Sequence, residues 1–271
     1  MWRTLEPYHG MIYFVPEADQ AYQEVGLEPG RMGYFASRSA PMGAVTAEVV
    51  VATFFNFNPS LVHKAIPRAW ELADPGAIIW ARQGAADRAL RRLIGSGIDS
   101  SDMADAADTA RAAAQVCRPE GRPLYAGHAG LEWPDEPHLV LWHAISLLRE
   151  FRGDGHIAAM VSEDVSGIEA LLIHAGTGDI PSSVLQSSRA WPDADWDRAR
   201  AGLVQRGWLD DAGALTPDGR AHRSRVEEAT DTMATAPWNH IGEQACDRLR
   251  RIVRPWSRAI SEAGTFVRMP S

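Results

Sequence analysis

Residues 149–156 read Arg149-Glu150-Phe151-Arg152-Gly153-Asp154-Gly155-His156. Arg149 and Arg152 are three apart, which on a helix puts two guanidiniums on one face. That arrangement suits an oxyanion such as sulfate, phosphate or carboxylate. Asp154 stands two residues before His156 and can orient its imidazole. The same residues can equally form a polar clamp, with the arginines spent on Glu150 and Asp154. His143 lies about a turn and a half upstream of Arg149.

Two further constellations carry acid–base potential. Glu6, Tyr8, His9 and Tyr13 fall on one N-terminal segment. Glu6 and His9 are i,i+3 neighbours, and His9 and Tyr13 are i,i+4 neighbours. A carboxylate–imidazole pair can move protons near neutral pH, or a capped helix can simply hold a hydrogen-bonded core histidine. Glu48 stands alone among Val45, Ala47, Val49, Val50 and Val51. A carboxylate inside an apolar run must be paired or raised in pKa. Glu48 is therefore the candidate base or amine partner, unless it faces solvent at a helix start. Asn56 can add a neutral hydrogen bond, and Tyr13 or Tyr34 a wall. The expectation is one cavity at the junction of two halves. Glu48, His9 and His156 are its catalytic candidates. Glu6, Tyr13, Tyr34, Asn56, His143, Arg149 and Arg152 are its binding residues.

No Gly-Xaa-Ser-Xaa-Gly, phosphate loop or dinucleotide fingerprint occurs. The nine histidines and two cysteines show no metal-ligand spacing. The sequence thus calls for no cofactor and no metal. Cys117 and Cys246 read as reduced thiols, which with the lack of a leader-like N-terminus points to the cytoplasm. No stretch of eighteen apolar residues is present, so no membrane partner is expected. A formal charge of −8 disfavours broad nucleic-acid binding.

The elements that must position these residues are mainly helical. Helices are expected over 4–15, 17–25, 58–66, 75–93 (with charge on one face) and 102–116. Segment 47–55 is ambiguous between helix and strand. The Gly-, Ser- and Pro-rich stretches 31–47 and 118–137 read as loops, the second as a domain boundary. An apolar helix from 139 should end where Gly153 and Gly155 sit, and further helices follow at 156–161 and 166–173. Pro192 opens a helix to Arg206. Residues 208–219 then alternate short apolar pieces with an Asp-Ala-Gly turn, which reads as a β-wing. Helices 217–233 and 238–252 complete a winged-helix domain over 138–271, behind a helical domain over 1–130.

Several segments together carry a family resemblance. They are Glu6-Pro7-Tyr8-His9, Gly33-Tyr34-Phe35-Ala36-Ser37-Arg38, Ala52-Thr53-Phe54-Phe55-Asn56-Phe57, Trp133-Pro134-Asp135-Glu136-Pro137-His138 and the Leu148 to His156 motif. With them the chain resembles an actinobacterial helix-turn-helix, MarR-like family. The resemblance implies a helical N-terminal domain and a winged-helix C-terminal domain. It also implies a setting in specialised metabolism, including antibiotic biosynthesis, and hence small-molecule chemistry.

Two classes of function fit. One is a cofactor-free enzyme, of lyase or cyclase type, that drives an intramolecular displacement or elimination expelling sulfate or phosphate. The other is a ligand-responsive transcriptional regulator acting as a homodimer. A drug-sequestering protein with the same cavity and no chemistry is a third reading. Asp193, Asp195 and Asp197 at the start of the expected recognition helix, with Asp210 and Asp211 in the wing, argue against duplex DNA as partner.

Overall fold

The computed structural model of the chain describes residues 1–267. Its helices, in chain order, are α1 (Trp2–Gly10), α2 (Pro16–Glu24), α3 (Arg31–Ser39), α4 (Ala47–Phe54), α5 (Pro59–His63), α6 (Arg68–Leu72), α7 (Pro75–Ile94), α8 (Ser101–Ala114), α9 (Pro123–Ala129), α10 (Pro137–Ser162), α11 (Gly167–Ala175), α12 (Ser182–Arg189), α13 (Asp193–Gln205), α14 (Pro217–Met233) and α15 (Ala236–Glu262). The protein is mainly α, as its periodicity predicts.

Many helix starts are written in the sequence. Proline opens α2, α5, α7 and α9, where its missing N–H costs nothing. Asn58 accepts from the Ser60 amide at 2.9 Å and Asp74 from the Gly76 amide at 2.7 Å. Ser166 and Glu169 close a capping box on α11. The ambiguous segment 47–55 is helical.

Three expectations fail for physical reasons. The helix expected to stop at Gly153 and Gly155 runs unbroken through both, as part of α10. Each glycine costs about 1 kcal/mol of helix propensity, which the apolar burial of Phe151, Ala159 and Met160 around them offsets. Segment 31–47 is not a loop: α3 occupies most of it, its Gly and Ser positions buried as small contacts. At Gly33 an added Cβ would meet the Tyr22 ring at 2.5 Å, so glycine there allows close packing. Segment 118–137 likewise contains α9.

The wing is a tight turn without strands. Among the described residues the β-type pairing is one antiparallel bridge, Leu209 to Leu215. The Asp210 amide donates to the Ala214 carbonyl at 2.9 Å, and the Asp210 carboxylate accepts from the Ala214 amide. Gly213 takes a φ of 86° to close the loop. That leaves too few residues for a ladder.

The chain divides into two compact units, each assembled from separated stretches. The first holds residues 1–45, 65–151 and 234–271, and the second 46–64 and 152–233. The sequence expectation instead drew contiguous segments, 1–130 and 138–271. In the first unit, α7 packs on α2, and α15 packs on α1 and α8. Alanines 81, 85 and 89 of α7 and 106, 110 and 113 of α8 are buried, letting these helices approach closely. Residues 138–148 of α10 are buried around the whole circumference, the signature of a central helix. The second unit has its own core, built on Leu171, Leu172, Leu185, Trp196, Leu203, Leu209 and Val226. Fully burying a side chain such as Leu203 contributes about 2 kcal/mol.

Candidate functional site in the first unit

Charge and hydrogen-bonding groups converge where α1, α3, α7 and α10 meet. Glu150 is fully buried. Arg38 grips its carboxylate with two nitrogens, Nε at 3.0 Å and Nη2 at 2.8 Å, and Arg149 Nη1 adds a third contact at 2.7 Å. Burial opposes ionisation of Glu150, but the Arg149 and Arg38 guanidiniums overcome it. They hold its carboxyl well below the usual range. Two guanidiniums thus share one carboxylate.

A third arginine, Arg82 of α7, is 3 % exposed. It makes no ion pair among the described residues. Its nitrogens instead reach the Tyr13 hydroxyl at 3.2 Å and the Ser37 hydroxyl at 3.5 Å. Its guanidinium lies 5.2 Å from the Tyr13 ring centre and 5.4 Å from that of Trp142. A buried guanidinium without a carboxylate is expensive, and its cost is lowered here by hydroxyls and aromatic faces. The charged face expected on α7 therefore excludes Arg82, which points inward.

Beside it runs a directed chain of hydrogen bonds. Ser146 Oγ donates to the Trp142 carbonyl at 2.8 Å, so it accepts from His9 Nδ1, also at 2.8 Å. The neutral imidazole then carries its lone pair on Nε2, which faces the Tyr13 hydroxyl at 3.1 Å. Tyr13 donates to His9 while accepting from Arg82. Burial, seconded by the Arg149 charge, pushes the His9 pKa well down, which keeps the ring neutral and able to accept a proton. Tyr34 closes the group: its ring lies 5.2 Å from that of Tyr13, and its hydroxyl accepts from Arg38 at 3.2 Å. Tyr13, Tyr34 and Arg149 are only half-buried, so the cluster has an accessible rim.

The sequence candidates are thus distributed between the units. Glu6, His9, Tyr13, Tyr34, His143 and Arg149 belong to the first. Glu6 sits close enough to Arg149 to raise its pKa through space. His143 packs edge-on against Trp133 at 4.7 Å, and burial lowers its pKa to about 4. Glu48, Asn56, Arg152 and His156 belong to the second unit. Glu48 lies in the first turn of α4 with its side chain 74 % exposed, and its neighbour is His63 at 3.8 Å. Its carboxyl is lowered in pKa by its own backbone and by Thr46, the opposite of a raised base. Arg152 pairs with Glu227 at 3.2 Å and Asp231 at 3.0 Å, so it is tied within its own unit. The sequence reading missed Arg38, Arg82, Ser146 and the pivotal place of Glu150.

The chain matches a family described as a helix-turn-helix family over residues 1–267. It belongs to that family. No curated protein and no solved structure matches it. In the second unit, α12, a short turn and α13 follow one another as such a motif requires. The α13 start carries Asp193 and Asp195. Its arginines are engaged nearby, Arg198 with Asp195 at 3.0 Å and Arg200 with the Asp211 carbonyl, and Arg206 just past its end pairs with Glu169.

Proposed function

We propose that this helix-turn-helix protein is a cofactor-free enzyme acting on a small anionic molecule at the first-unit cluster. The observation that carries this reading is the buried Arg82 with no carboxylate partner, touching a tyrosine that is hydrogen-bonded to a neutral histidine. Such a guanidinium is a ready partner for an oxyanion, and the Tyr13–His9–Ser146 chain is a ready path for a proton.

The reaction class is an intramolecular displacement or elimination that expels sulfate or phosphate. As an amine or hydroxyl of the substrate attacks, its proton passes to the Tyr13 oxygen, and the Tyr13 proton passes to His9 Nε2. The attacking lone pair forms the new bond to carbon. The carbon–oxygen bond to the leaving group breaks, and its electron pair departs on the anion. Arg82 and Arg149 stabilise that developing charge, with Tyr34 and Glu6 at the rim. Fixed positive charge in a water-poor site is worth most when negative charge develops. Glu48 has no role in this scheme, because its carboxylate faces solvent. The second unit, which carries α12 and α13, is then a scaffold that has kept the helix-turn-helix form.

The test uses small amino- and hydroxyalkyl sulfates and phosphates, with anion release followed by ion chromatography. Tyr13→Phe should abolish release, and Arg149→Met should reduce it at least tenfold and remove saturable stabilisation by inorganic sulfate or phosphate. If neither anion stabilises wild type, or both variants respond as wild type does, the reading fails.

Family membership favours a second reading, sequence-specific DNA binding by α13. The acidic start of α13 and its engaged arginines oppose it. A gel shift against the DNA around its own gene decides: tight, salt-dependent binding reverses the order of the two.

A further inference from the structure

The second unit contains a cavity of about 270 Å³ that the first-unit chemistry does not use. It opens among the C-terminal part of α10, α11, α12 and α14. Met160, Leu171, Leu185 and Val226 line its apolar body. Its polar edge includes His156, His174 and His222, with Arg189, Arg223 and Glu227.

Hydrogen bonding fixes what His156 presents, and the nearby Glu163 carboxylate favours one tautomer of His222. Thr230 Oγ1 donates to the Val226 carbonyl at 2.7 Å, so it accepts from His156 Nδ1 at 2.9 Å. Neutral His156 therefore keeps its lone pair on Nε2. His222 is 2 % exposed, with its ring stacked 3.7 Å from that of Trp208 and Nε2 3.2 Å from the Glu163 carboxylate. With its proton on Nε2, facing that carboxylate, Nδ1 holds a lone pair. Neither ring nitrogen of His222 has a hydrogen-bond partner among the described residues. Burial lowers the pKa of both rings, which keeps them neutral acceptors. The charged groups of the lining are Arg189, Arg223 and Glu227. Arg223 lies 3.8 Å from Glu227, which also pairs with Arg152, and Arg189 lies over the Phe57 ring with Nη1 on the Ser188 hydroxyl. An anion would compete with Glu227 for Arg223, and an apolar guest would leave the buried His222 ring nitrogens unmet at a cost.

We infer that this cavity is a second binding site, for a neutral ring-sized molecule whose apolar body carries hydroxyl or N–H donors. Its donors meet His156 Nε2 and His222 Nδ1, and its ring fills the aliphatic body. A cavity of this volume is near the lower end for small-molecule sites, which fits one ring and excludes larger ligands.

Resorcinol is the probe, with toluene and benzoate as comparisons, titrated into full-length protein carrying ¹⁵N-labelled histidine. Resorcinol should saturate, move the His156 and His222 ring nitrogens and leave His9 unmoved. Toluene and benzoate should bind at least tenfold more weakly. His222→Phe, which keeps ring stacking on Trp208 but lacks the acceptor, should weaken resorcinol about tenfold. Filling the space with Val226→Phe should abolish binding. If a variant does not fold, the wild-type shifts alone decide. Equal binding of toluene, tighter binding of benzoate, no saturable binding, or shifts only in histidines outside the cavity lining of His156, His174 and His222 would each overturn the assignment.

Discussion

Two neutral histidines in the first unit make the protein acid-sensitive by an amount that can be worked out. His128 and His143 are 3 % and 6 % exposed, and each Nε2 lacks a hydrogen-bond partner among the described residues. Burial lowers both pKa values from 6.5 to about 4, and His143 is pushed further by its neighbour His128. The unfolded chain takes up a proton on each near 6.5, while the folded protein refuses it until about 4. Stability is therefore fully present above pH 6.5, falls as the pH drops, and levels off below 4. Between pH 7 and pH 5 each histidine should remove about 2 kcal/mol of unfolding free energy, an upper figure for perfectly rigid burial. His9, His156 and His222 add to the wild-type slope in the same direction, so the difference between proteins is the clean measurement. Urea unfolding of wild type and the His128→Gln and His143→Gln variants at pH 7, 6 and 5 gives it. Both variants should start less stable at pH 7. The gap to wild type should then close by about 2 kcal/mol on acidification. A gap that stays constant from pH 7 to 5 would refute the claim that these rings are held neutral by burial.

Other outcomes follow from the same geometry. Glu150→Gln leaves the buried Arg38 and the half-buried Arg149 without their carboxylate and should cost about 3 kcal/mol by denaturant unfolding. Gly167→Ala would drive a Cβ into the Phe55 carbonyl, where the backbone cannot yield. It should lower stability by about 3 kcal/mol, with the loss seen in hydrogen exchange of the second unit. Glu48→Gln should leave both melting temperature and any turnover unchanged, since the carboxylate is solvated. A large loss of activity in that variant would restore Glu48 to the chemistry.

Local rules were legible in the sequence wherever the decisive interaction is local. The caps at Asn58, Ser166 and the helix-opening prolines are of this kind, and so is the i,i+4 pair His9–Tyr13, whose rings do meet at 5.4 Å. What escaped depends on distant chain. Gly153 and Gly155 look like a stop because propensity is read one residue at a time, whereas packing on α10 acts on both faces at once. Glu48 looks buried because its neighbours are valines. The helix turns it outward together with Val49, itself 39 % exposed. One signal for the missed arginine was available. Arg82 falls in register with Ile78, Ala85 and Ala89, all fully buried on the inward stripe of α7. A charge on that stripe marks a polar site within the core more reliably than a dense run of charges does. Its partners Tyr13 and Ser37 lie in other elements and could not be matched to it by spacing.

The discontinuity of the two units sets an order on how the chain is made. During synthesis the second unit is complete in sequence once residue 233 has emerged, whereas the first still lacks α15, which packs on both α1 and α8. The Arg38–Glu150 contact alone spans 112 positions. Until Glu150 arrives, the nascent first unit carries inward-facing arginines with nothing to neutralise them, and cannot close over them. Helix α1 must wait for α15. Long-range closures of this kind slow folding, and they leave apolar faces of α1 and α8 open on the ribosome until α15 is released. A cell making this protein quickly would therefore have the most use for chaperones late in translation.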